Sequence, residues 1–325
     1  MINLKKTSTI KFWYSIFFFA DAVVWIGICD CFLPSKAFSQ YVIEEYNDGS
    51  IMAEDICKFV DIPKVGEPIQ KAINPLKKYK YVIFFDCDGV LQRNTDPTLV
   101  GPRIWNFMKG EGADTCKTII WDSPKNTVED SILELIQHLK KCDIPHFVVT
   151  QCTSDPQTQS MRETILNELG YSFENNILEN DEKVQDKYDK KDFWQLSPKQ
   201  GQTTITPPRF ANGIVYAGSA TKEATFEWLF DLIQSSEKFC DISDVKFVFI
   251  DDKVSNLEEF CKVCNKYGVK QYRACHYTSD QQQANSVPQT EQPVAKLQKR
   301  IVRTGRFLSC DDARFLTKAF RSLSI

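Results

Sequence analysis

Two carboxylates one residue apart, Asp86 and Asp88, close an apolar run and precede a glycine in Tyr81-Val-Ile-Phe-Phe-Asp86-Cys-Asp88-Gly-Val-Leu91. An acid so placed can serve as a covalent nucleophile, as a proton donor or acceptor, or as a ligand for a hard cation. Period-two spacing puts both acids on one side of extended chain and turns Cys87 to the other. Three more segments end in polar groups of complementary kind. Thr150 closes His146-Phe-Val-Val-Thr150, Lys222 opens a helix after Gly213-Ile-Val-Tyr-Ala217, and Asp251-Asp252 follow Val245-Lys-Phe-Val-Phe-Ile250. A lysine in the first turn of a helix opposes the helix dipole, which makes sense where it compensates acids or a phosphate. Adjacent acids after a buried strand repel unless a cation or positive side chains hold them. Each feature alone has a plainer reading: Gly89 supplies a surface turn after the two acids, and Lys222 is a solvated side chain.

The elements that must position these groups alternate strand and helix. Short runs rich in β-branched and aromatic residues, apolar on both sides, read as buried strands. A fifth strand is expected over Val269–His276. Between them, Ile132, Leu135, Ile136 and Leu139 mark a helix introduced by Thr127-Val-Glu-Asp130, which resembles a capping box. Met161, Ile165 and Leu169 mark a second, stopped by Gly170, and Phe226, Leu229, Phe230 and Ile233 a third. This alternation predicts an α/β fold, a Rossmann-like three-layer α/β/α core around a central parallel sheet. In such a sheet ligands bind beyond the carboxyl ends of the strands, where all the groups above would converge. Oxygen ligands of this kind suit Mg²⁺, which binds through few carboxylates plus water and substrate phosphate.

The core is expected over 78–277. A short extension at 40–77 precedes it, carrying a helical stretch at 51–60. Small inserts fall at 92–126, with Trp105, Phe107 and Trp121, and at 173–208, a charged stretch read as a solvated loop or a lid. A Gln-rich linker, 278–292, leads to a carboxyl-terminal helical extension. Its first helix, near 294–306, sets Val294, Leu297, Ile301 and Val302 against Lys296, Lys299, Arg300, Arg303 and Arg306. That pattern fits a membrane-surface helix or one packed on its own domain. The last helix, from about Ser309, uses Phe315, Leu316, Ala319 and Phe320.

Within the 325 residues, 42% are apolar, 26% charged, and the net charge is −3, which supplies no argument for a nucleic-acid partner. Lys5, Lys6 and Lys11 precede the apolar stretches Phe12–Ala20 and Ala22–Cys29, and Ala37-Phe38-Ser39 gives a small-x-small site before Gln40. Residues 1–39 therefore read as a signal peptide, and the protein as exported, to the periplasm or beyond. The competing reading is an uncleaved anchor, which Asp21 opposes by roughly 2.5–3.5 kcal/mol. Twelve cysteines, two in the leader, permit disulfides, but buried free thiols fit most of them better. Cys261-Lys-Val-Cys264 has no second pair at zinc spacing. His138, His146 and His276 are too scattered for a metal triad.

Taken in order, the four strand-end motifs resemble those of the haloacid dehalogenase-like hydrolase superfamily over residues 78–277. Asp251-Asp-Lys-Val-Ser-Asn256, His276-Tyr-Thr278, Leu297-Gln298 and Ser309-Cys-Asp-Asp-Ala313 resemble a narrower group, an uncharacterised family of exported bacterial proteins known as a domain of unknown function. The resemblance implies a Mg²⁺-dependent phosphomonoesterase, with Asp86 as the nucleophile that forms an aspartyl-phosphate. It implies Asp88 as acid/base, Thr150 and Lys222 as phosphoryl-binding groups, and Mg²⁺ ligands from Asp86, Asp88, Asp251 and Asp252. Asn256 is one helical step beyond and offers a further oxygen. The implied substrate is a phosphorylated small molecule or a phosphoprotein, taken in a site with little cover. The alternative is an exported binding protein of the same fold without turnover, with or without a membrane-peripheral role.

Overall fold

The computed structural model describes residues 42–69, 78–152, 156–173, 178, 181 and 208–323. The segment read as a signal peptide, with its expected cleavage site, lies outside the described residues, as does most of the 173–208 insert.

Strand β2 (Tyr81–Phe85) shows why its sequence is apolar throughout. Val82 and Phe84 face one helical layer and Ile83 and Phe85 the other, all fully buried. Its neighbours are β5 (His146–Thr150) and β8 (Lys246–Asp251), both parallel to it. With β1 (Ile43–Tyr46), β6 (Arg209–Ala211), β7 (Ile214–Tyr216) and β9 (Gln271–Tyr277) they form a seven-stranded sheet ordered β1-β9-β8-β2-β5-β7-β6. Every pairing is parallel except β6 with β7. Strands β3 (Gln92–Asn94) and β4 (Lys125–Thr127) make a separate antiparallel pair.

Helices α1 (Gly49–Phe59), α4 (Asp130–Lys141) and α5 (Pro156–Glu168) cover one face. Helices α6 (Lys222–Ser235) and α7 (Val254–Lys266) cover the other. The fold is thus the three-layer, Rossmann-like α/β architecture expected. The second face is built on aromatics: Phe230 stacks on Phe247 at 4.4 Å and Phe226 meets Phe249 edge-on at 4.8 Å. Each such pair adds roughly 0.5–1.5 kcal/mol beyond the area it buries.

Several local expectations are corrected. The segment at 40–77 contributes more than a lead-in, because β1 pairs with β9 as the sheet's edge and α1 packs on α4. Thr127 is the last residue of β4, not a helix cap; α4 starts three residues later, with Glu129 at its N-cap. On α5 the buried stripe is Thr158, Arg162 and Leu166, while Met161, Ile165 and Leu169 are only half-buried. The Gln-rich linker contains helix α8 (Ser279–Ser286).

The insert, with α2 (Arg103–Met108) and α3 (Ala113–Asp122), does not stand alone. Helix α9 (Gln292–Val302) buries Val302 in a cluster with Leu99, Ile104, Phe107 and Ile119. Helix α10 (Cys310–Leu323) packs on α9. Buried Asp96 ties the three together, accepting from Thr98 N at 2.9 Å, Gln298 Nε2 at 3.2 Å and Cys310 N at 2.6 Å. All ten cysteines of the described residues are free thiols, six of them buried. Among the described residues no helix is long and apolar enough to cross a membrane.

Candidate functional site

After β2 the chain adds β5 and then β7 on one side, then crosses to place β8 on the other. The order therefore switches at β2, and a crevice opens beyond its carboxyl end. Asp86 sits there, with its N–H donating to Ile250 O at 2.8 Å, so the ends of β2 and β8 are joined. Carboxylate oxygens of Asp86, Asp251 and Asp252 lie within 4.8 Å of one another. Asp86 and Asp251 are buried, and Asp252 is half-buried.

Lys222, at the first turn of α6, is 1% exposed. Its ammonium donates to Asp86 Oδ1 at 2.6 Å and to the Val149 carbonyl, and lies 3.7 Å from Asp251 Oδ2. Burial works against its charge, and Asp86 and Asp251 outweigh that, holding its pKa above the ordinary lysine value. Thr221 caps the helix by accepting from Ala224 N at 3.1 Å, which fixes where Lys222 starts. Thr150, buried, follows Val149 and so lies beside the ammonium's backbone contact. Gln151 donates to Ala220 O at 3.1 Å and holds that strand end to the loop before α6.

Asp251 accepts from Lys253 N at 2.8 Å and from Asn256 Nδ2 at 3.1 and 2.9 Å. Asn256 therefore presents its amide nitrogen and orients Asp251, where an oxygen ligand was expected. Burial, and then repulsion from Asp86, push the Asp251 carboxyl well above the usual range. The same two causes raise Asp252 to about 7. Asp252 Oδ1 is buried and has no hydrogen-bond partner. An orphaned buried carboxylate oxygen beside two further acids is the donor set a hard divalent cation takes. Gly89 makes room for it: at φ 90°, a Cβ there would stand 2.8 Å from Asp252 Cγ and Oδ2. The Asp252 carbonyl is held by Gln281 Nε2 of α8 at 2.9 Å and His276 Nε2 at 3.2 Å.

Asp88 stands apart from this trio. Its half-exposed carboxylate accepts from Gln92 Nε2 at 2.5 Å and from both Nη atoms of Arg162, at 3.1 and 3.2 Å. Desolvation pushes this carboxyl up, and the Arg162 charge with the Gln92 bond overcomes it, leaving Asp88 below the usual carboxylate range. Arg162 is 2% exposed at its side chain, donates to Cys87 Sγ at 3.3 Å and lies over the Trp121 ring at 5.2 Å. No sequence signal singled it out, since an arginine on a helix is normally solvated. Its only trace is the i, i+4 step with Thr158 and Leu166. At the other rim Lys253 lies 5.4 Å from the ring of exposed Trp105. The insert tryptophans therefore flank the site, and α8 reaches it through Gln281.

Each of the three histidines has its own backbone partner: His138 bonds Pro63 O, His146 bonds Ile144 O, and His276 meets the Asp252 carbonyl. No curated protein matches the chain significantly, and no solved structure does. The family described as protein of unknown function (DUF2608) matches residues 61–314, more than half of the chain. The chain belongs to that DUF2608 family.

Proposed function

We propose that this protein is a Mg²⁺-dependent phosphohydrolase acting through an aspartyl-phosphate on Asp86, in the manner of the haloacid dehalogenase-like hydrolases its strand-end motifs resemble. The observation that carries the reading is the trio of buried Asp86 and Asp251 with half-buried Asp252, and one ammonium, Lys222, beside them. Three carboxylates and one lysine leave a formal excess of two negative charges, the charge of one divalent cation.

Asp86, Asp251 and Asp252 would hold the Mg²⁺, which when bound neutralises phosphoryl charge and orients the ester. Lys222 holds Asp86 Oδ1, leaving the other carboxylate oxygen to attack phosphorus. The P–O bond to the leaving group breaks, and Asp88 supplies the proton to the departing oxygen. Lys222 and Thr150 stabilise the transferring phosphoryl oxygens. Water then attacks the aspartyl-phosphate, giving its proton to Asp88; inorganic phosphate leaves and the Asp86 carboxylate returns. The Arg162 pair supports ionised Asp88, which suits this second half of the cycle. The first half takes up a proton against that pair, so esters whose leaving groups need little protonation are favoured.

A screen of phosphomonoesters, small and peptide-borne, with purified protein in Mg²⁺ or EDTA tests the reading. Phosphate release in Mg²⁺ and none in EDTA is expected. Release that is equal in both would sink it.

A further inference from the structure

A second concavity lies away from the acid cluster, between α2 and α9. It has a volume of about 520 Å³, and Thr98, Arg103, Asn106, Gln292, Lys296 and Lys299 are among the residues that line it. No acidic residue is among them. That size is within the roughly 300–1,000 Å³ of small-molecule sites. We propose that this groove binds a small molecule carrying phosphoryl groups, independently of the catalytic cluster.

Charge carries the inference. Among the described residues Arg103 has no carboxylate partner. Both its Nη atoms donate to carbonyls, those of Pro97, Ala284, Val287 and Pro288, so it brings positive charge to the wall while its Nη hydrogens are already taken. Lys296 and Lys299 are left to meet a ligand. Lys299 pairs with Glu111 at 3.1 Å, but Glu111 also takes the Arg303 fork at 2.7 Å through each oxygen. One acid thus serves two cations. Lys296 is exposed and has no ion pair among the described residues. The groove therefore keeps an excess of positive charge, on a chain whose net charge is −3. A concave wall of one sign concentrates counter-ions. Thr98, Asn106 and Gln292 add neutral polar groups along the same wall.

A membrane surface fits less well. Binding there needs a free apolar face on the basic helix, and on α9 Val294 and Val302 are buried against the rest of the chain. Helix α8 lies between the two sites: Arg103 holds carbonyls at its end, and Gln281 within it donates to Asp252 O.

The test is calorimetric titration of the whole protein with inorganic pyrophosphate in EDTA, which keeps cations from the acid cluster. Saturable binding is expected in the wild type and in Thr150→Val. In Lys296→Glu, an exposed position, it should weaken by about tenfold or more, equivalent to about 1.4 kcal/mol. Absence of binding, equal binding in Lys296→Glu, or loss in Thr150→Val would overturn the proposal. So would Lys296-dependent binding to phosphatidylserine vesicles that pyrophosphate does not displace.

Discussion

The Nζ of Lys222 stands 2.6 Å from Oδ1 of Asp86, although 136 residues of chain separate them. It is the nearest compensation for a site that buries more negative than positive charge. Removing one partner of a buried pair leaves the other uncompensated, at a cost of about 3–5 kcal/mol. Lys222→Met should therefore lower the urea midpoint by that equivalent and abolish phosphate release. An unchanged midpoint would show that the ammonium does not balance the acids.

Asp252 gives the opposite sign. Its folded pKa, about 7, is above the ordinary carboxylate value, so without a cation the folded state loses stability as pH rises through that range. Asp252→Asn should melt higher than wild type at pH 8 in EDTA. Mg²⁺ should raise the wild-type melting temperature through binding to the folded state, and should do so far less in the variant. A Mg²⁺ response of equal size in both proteins would remove Asp252 from the metal site.

The core of the site was legible because strand ends announce themselves. Apolar runs stop at Asp86, Thr150 and Asp251, and a parallel sheet aligns such ends. Lys222 was legible for being misplaced by helix-dipole rules. Arg162 was not, because its burial depends on Asp88, Cys87 and Trp121, which only the tertiary fold brings to it. Strand β1 was hidden for a similar reason: Ile43-Glu-Glu-Tyr46 is polar in composition, and its pairing with β9 is far away in sequence. Thr127 misled because a capping pattern there meets a strand end. Glu129 takes the cap position, and its carboxylate serves Gly49 N and Ser279 Oγ instead.

His146 supplies a pH-dependent term away from the site. It is fully buried; its Nδ1–H donates to Ile144 O at 2.7 Å, and Nε2 has no partner. Burial lowers its pKa to about 4 from 6.5. The neutral ring is favoured in the fold, so its contribution is fully present above about pH 6.5 and lost as pH falls toward 4. At about 1.36 kcal/mol per unit, roughly 2–3 kcal/mol disappears between pH 7.5 and 4.5. Urea unfolding of wild type and His146→Phe at those two pH values checks this: the variant should lose less stability by that margin. Parallel losses would contradict it.

The two acids of β2 and its turn provide the most direct test, through phosphate release from p-nitrophenyl phosphate and an alkyl phosphate in Mg²⁺. Asp86→Asn removes the nucleophile and should abolish turnover of both. Asp88→Asn keeps the nucleophile and loses proton transfer, a contribution of about 10²–10⁴-fold in rate. Its loss should be large on the alkyl ester and small on the p-nitrophenyl ester, whose leaving group needs little protonation. Turnover that survives in Asp86→Asn, or equal losses on both esters in Asp88→Asn, would contradict the assignment of nucleophile and acid.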